Sequence, residues 1–427
     1  MSGEESIDFS DEREERGEQD PAAPADDAGG PPGQRVSWAE CFFDLVVALA
    51  VTEVSGQLQH AAGWPELGRS LLLLVPFWWG WVGTALLFNG LHMAAIRKYL
   101  LLFGIALGAL LMSTAVPAAY GSRGALFGCA YMTVRILLGV PMRARDLFGF
   151  RLDPFTVDLV IGGPLYLIGG FTPMPYRLWL WALAAVVEIG STVLRPRRFS
   201  HMRWEPAHLP ERFGLFIIIV LGETIASIGA QAAGRALTFA VASALILAFV
   251  LSVGLWWAYF PYAMPAIEYA LRTSAVQTKV VRDVFSYGHL ALAAGVLLAA
   301  AGAAESVAAP TAVPHGPQGS LTGLGVAVYI IAFCYNRHRM FGGVGTLRAI
   351  AAALAAAGAL FGPALPGLAS LAWNAVVLVS MHAVEGFRVE TGRPILLLPW
   401  PPHPPTATAT TATAPTAGAT ATATEAD

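Results

Sequence analysis

The chain has 427 residues, of which 56% are hydrophobic and 13% charged, with a mean hydropathy of +0.58 and a formal net charge of −3. A soluble domain carries about a quarter charged residues, so the composition excludes an ordinary globular protein and predicts a membrane one. Cys41, Cys129 and Cys334 lie far apart in or beside apolar runs, which excludes a disulfide framework or a zinc site and makes them small core residues.

Residues 1–34 hold eleven acidic residues against Arg13 and Arg16, and their Pro, Gly and Ala filling predicts a disordered acidic tail over 1–35. A secretory signal would need a positive start and an apolar run, so this stretch is not one. Apolar runs follow at about 38–60, 69–91, 99–117, 124–141, 153–170, 176–195, 211–230, 237–260, 286–304, 320–335, 346–362 and 366–385. Most approach the roughly 20 residues that a spanning helix needs. The expected fold is an all-α polytopic membrane protein of about twelve transmembrane helices. An Ala/Thr/Pro low-complexity tail over 396–427 ends the chain.

Basic residues orient the spans, because cytoplasmic loops are enriched in Lys and Arg. With a cytoplasmic N-terminus, alternate loops place 21 basic residues inside and 4 outside, leaving Arg135 within the fourth span. Both termini are therefore expected in the cytoplasm. The basic loop "RPRRFSHMRW" (Arg195 to Trp204) reads as a topology determinant with affinity for anionic lipid, not as a nucleic-acid patch.

The second half echoes the first. "ECFFDLVVALAVTE" (Glu40 to Glu53) and "ERFGLFIIIVLGE" (Glu211 to Glu223) share a Glu-x-Phe start and a second Glu after twelve or thirteen residues. Trp78-Trp79 is matched by Trp256-Trp257, and Tyr131 by Tyr329. Six spans per unit predicts two parallel repeats over 36–200 and 201–395, an arrangement found among transporters.

Several charges fall inside spans, where they are costly and mark function by default. Glu223 lies twelve residues into its span, roughly 18 Å along a helix and near the bilayer centre. Arg135 and Glu188 reach a similar depth. Arg135 can neutralise one carboxylate, Glu188 or Glu223, and the other is then a protonatable or cation-binding group. In the first span Glu40 and Asp44 share one helical face, while Glu53 is rotated by about 220° from Glu40. Glu40 also suits the helix start, and Glu211 an interface. His208, His289 and His382 are expected to be hydrogen-bonded packing residues. No catalytic constellation, metal-ligand pattern or cofactor motif is present.

The blocks "VSWAECFFDLVVALAVTEVSGQL" (Val36 to Leu58) and "HLPERFGLFIIIVLGETIASIG" (His208 to Gly229) resemble the two signatures of the bacterial low-temperature-requirement A membrane proteins. "YMTVRILL", "LWWAYF" and "YGHLALAAGVLLAAAGAAE" are similar to further blocks in the same order. The motif positions that carry the likeness include Glu40, Phe43, Glu211, Arg212 and Gly222. One departure is "FNGLHMAAIRKY" (Phe88 to Tyr99), where the family usually has acids before an arginine. The resemblance implies a multi-pass bacterial inner-membrane protein. The first span is also similar to the Phe-Ser-Asp helix of a family of potassium channels, with Phe43 standing at the serine. That likeness implies a pore-lining first helix.

Three classes of function fit these residues. The leading one is transport of a small ion or proton-coupled solute, with Glu223, Asp44, Glu53 and Glu188 as candidate sites and Arg135 as structural charge partner. The others are an intramembrane enzyme acting on lipid or isoprenoid, and a non-catalytic sensor or scaffold. Small-residue surfaces such as "GIALG" (Gly104 to Gly108) and "GGPLYLIGG" (Gly162 to Gly170) allow close packing within one chain or in a homo-oligomer.

Overall fold

The computed structural model of the protein describes residues 36–90, 95–143, 154–193 and 204–392. The predicted tails and most of the basic loop lie outside those residues. The fold is all-α, with no strand among the described residues. Among the described residues twelve helices answer to the twelve apolar runs, and a thirteenth, short one follows the eighth. They are α1 (Trp38–Gln59), α2 (Trp64–Gly90), α3 (Ala95–Ala115), α4 (Gly124–Arg143), α5 (Pro154–Phe171) and α6 (Tyr176–Ser191). There follow α7 (His208–Ala233), α8 (Phe239–Tyr259), the short α9 (Ala263–Thr273), α10 (Gln277–Ala308), α11 (Gln318–Phe341), α12 (Thr346–Phe361) and α13 (Gly367–Glu390). Among the described residues, ten stretches are long and apolar enough to cross a membrane. The shortfall is at α4, whose apolar part is Gly124–Gly139, and at α6, which is 16 residues long and carries Arg177 and Glu188.

Two elements depart from the sequence reading. The loop after the eighth span contains α9, an amphipathic helix that buries Ile267 and Leu271 and pairs exposed Arg272 with Glu268 at 2.7 Å. The tenth span runs on through Asn336, Arg337, His338 and Arg339, because polar residues cost little where a helix leaves the apolar layer. Arg339 there meets Asp283 of α10.

Local chemistry fixes the starts and turns. Ser37 caps α1, its hydroxyl accepting from the Glu40 N–H while the Glu40 carboxylate accepts from the Ser37 N–H at 2.9 Å. Arg177 donates to the carbonyls of Ala119, Gly121, Gly169 and Gly170, so a cation closes the C-terminal end of α5. Two helices carry wider π turns, Asp158–Gly162 in α5 and Val281–Gly288 in α10.

Helix pairings recur. In the first half α1 packs on α2 and α3, α3 on α4, α4 on α5, α5 on α6, and α6 returns to α2. In the second, α7 packs on α8 and α10, α10 on α11, α11 on α12, α12 on α13, and α13 returns to α8. The halves meet where α1 and α2 pack on α7 and α10. Close approach in the second half rests on glycine: a Cβ on Gly325 would strike the Ala299 backbone, and one on Gly302 would strike Thr322.

Candidate functional site

Most buried carboxylates are held by arginine. At the start of α1, Asp44 accepts from the Trp81 indole at 2.7 Å and from Arg212 at 2.9 Å. Glu40 lies 3.7 Å from the same guanidinium and 3.5 Å from His208. Phe43 and Trp81 rings flank that guanidinium at 5.9 and 5.7 Å. A fully desolvated arginine with two carboxylates and two aromatic faces joins α1, α2 and α7 into one rigid corner.

A second cluster lies among α4, α5 and α6. Arg135 reaches Glu188 at 2.9 Å and Asp158 at 3.6 Å, and it also donates to the Tyr131 hydroxyl. Tyr131 in turn donates to Glu188, and Ser191 donates to Asp158 at 3.2 Å. Arg135 therefore takes Glu188 and not Glu223.

The second half has its own pair. Arg348 of α12 grips Glu385 of α13 with two bonds, at 2.8 and 3.2 Å, and its guanidinium sits 5.0 Å from the Phe333 ring. Asp283 is held by Arg282 at 2.7 Å and by Arg339.

Glu223 differs from all of these. It is 9% exposed, on the face of α7 that meets α1. Its carboxylate accepts from the Thr52 hydroxyl at 2.6 Å and the Ser227 hydroxyl at 2.8 Å. The Gln59 amide extends this network to Ser227 and Ser55. Oxygen groups of this kind can carry a proton or ligate a hard cation. Glu53 is half-buried, with no hydrogen bond or ion pair among the described residues. Glu211 is half-buried in the first turn of α7, and Gly222 is exposed, with open space where a Cβ would stand. The histidines make packing hydrogen bonds: His208 with Asn89 at 3.0 Å, His289 with Tyr259 at 2.9 Å, and His382 with the Gly254 carbonyl at 2.8 Å.

Between the halves lies a cavity of about 100 Å³. Trp79, Val82 and Phe155 form apolar walls, Arg135 and Asp158 face it from the second cluster, and Lys279 and Arg282 border it from the start of α10.

Long apolar helices and buried charge pairs define a polytopic α-helical membrane protein. The family described as Bacterial low temperature requirement A protein (LtrA) matches residues 35–383, and the chain belongs to that family. It is 30% identical over 298 residues to an uncharacterized protein of Rhizobium meliloti (strain 1021), across 65% of this chain and 70% of that protein.

Asp158, Asp283, Glu385 and Arg348 were not singled out by the sequence reading. Asp158 sits five residues into the apolar run 153–170, and that position was the available signal. Asp283 and Glu385 lie at span ends, where hydropathy treats an acid as a loop residue.

Proposed function

We propose that this protein transports a small ion or a proton-coupled solute across the bacterial inner membrane, with both termini cytoplasmic and Glu223 as the site residue. One observation carries the reading. Glu40, Asp44, Asp158, Glu188, Asp283 and Glu385 each lie within 3.7 Å of an arginine nitrogen, whereas buried Glu223 has only hydroxyl partners among the described residues. A carboxylate at mid-membrane depth without a fixed cation is held by a proton or by an exchangeable one. Asp44 and Glu188, tied to Arg212 and Arg135, serve the architecture around it.

The test is pH-gradient-driven flux of protons, potassium and sodium in proteoliposomes, comparing wild type with Glu223→Gln. The amide keeps the hydroxyl contacts and removes the charge, so the variant is expected to fold and to lose flux. Flux retained in Glu223→Gln would remove Glu223 from the route. Absence of wild-type flux for all three ions would overturn the ion reading.

A further inference from the structure

We propose that the cavity between the halves is a binding site for a small organic anion with an apolar body. Its composition is that of a ligand site, largely apolar with a few polar groups placed at defined points. Trp79, Val82 and Phe155 give flat and branched surfaces for a hydrocarbon part. Two groups favour an oxyanion. Lys279 is exposed, with no acidic partner among the described residues. Arg282 shares its carboxylate, Asp283, with Arg339, so two guanidinium groups stand against one acid. Trp204, 5% exposed, adds an aromatic face to the wall.

The remaining charges on the wall are occupied. Arg135 is engaged by Glu188 and Tyr131, and Asp158, the acid among the lining residues, lies against Arg135 and Ser191. Both π turns contribute to the lining, Asp158 from one and Val281, Arg282 and Ser286 from the other. Such turns recur where a helix is reshaped around a ligand. The cavity also sits where the two halves meet, the usual place for a substrate in a repeat transporter. The inference does not depend on Glu223 carrying an ion.

The experiment is titration of the purified full-length protein in detergent with benzoate, read by calorimetry and by the fluorescence of the lining tryptophans. Benzamide and benzylamine serve as neutral and cationic matches. Saturable benzoate binding is expected, with little binding of the other two. Lys279→Ala, an exposed change outside the core, should weaken benzoate about tenfold, the loss of one charge-assisted contact. Non-saturable benzoate, benzylamine bound as tightly as benzoate, or Lys279→Ala binding like wild type at an unchanged melting temperature would each overturn the proposal.

Discussion

Arg212 donates to Asp44 at 2.9 Å across 168 positions of sequence, and the contact fastens the first helix of one half to the first helix of the other. Both groups are buried, so the bond forms without competition from water. Removing the cation leaves Asp44 and Glu40 without their arginine. Arg212→Met should therefore cost about 3–5 kcal/mol, seen as a lower melting temperature of the purified protein. Adding Asp44→Leu should recover part of the loss, because it removes a stranded charge. A single variant that melts like wild type would show that the corner is not structural.

Arg135 and Glu188 should couple in the same way. Arg135→Met is expected to destabilise strongly and Glu188→Gln less, since an amide oxygen still accepts from Arg135 and Tyr131. A double-mutant cycle on melting free energies should return about 1–3 kcal/mol of coupling. Additive effects would mean that the 2.9 Å contact contributes nothing specific.

Thr52→Val tests the Glu223 seam without altering a charge. It removes the hydroxyl that donates at 2.6 Å, while Thr52 itself lies on an exposed face. Stability should fall by about 1–3 kcal/mol, because a buried carboxylate oxygen loses its donor. The ion concentration at half-maximal flux should rise about fivefold, in line with one lost hydrogen bond. Unchanged flux would place the transported species elsewhere.

Two glycines should respond in opposite senses. Gly325→Ala forces a methyl into the Ala299 backbone and should cost about 1–3 kcal/mol or more. Gly222→Ala meets nothing within 4 Å and replaces a mid-helix glycine, so it should gain about 0.5–1 kcal/mol. Melting curves of the two variants decide this directly.

Hydropathy made the helices legible, because a span must be apolar over its whole length whatever it packs against. Depth was legible for one pair, since residue count along a helix puts Arg135 and Glu188 at one level and they meet at 2.9 Å. Azimuth was not. The residue count leaves Glu188 and Glu223 equally open as partners of Arg135, and only packing shows that Glu188 takes it. Arg212 stood out in a motif, yet its partners Asp44 and Trp81 lie 168 and 131 positions away, beyond any local pattern. The tenth span appeared short because its final turns are polar, although their hydrogen bonds and the Asp283 contact keep them helical.

The two halves keep an acid on their last helix, Glu188 on α6 and Glu385 on α13, but draw the arginine from different places. In the first half it comes from α4; in the second it comes from α12, the counterpart of α5, and Phe333 stands where Arg135 would be if Tyr131 and Tyr329 correspond. A chimera carrying α11 in place of α4 would strand Glu188, and one carrying α12 in place of α5 would bring two cations to one acid. An acid on the last helix of each half does not make the helices around it interchangeable.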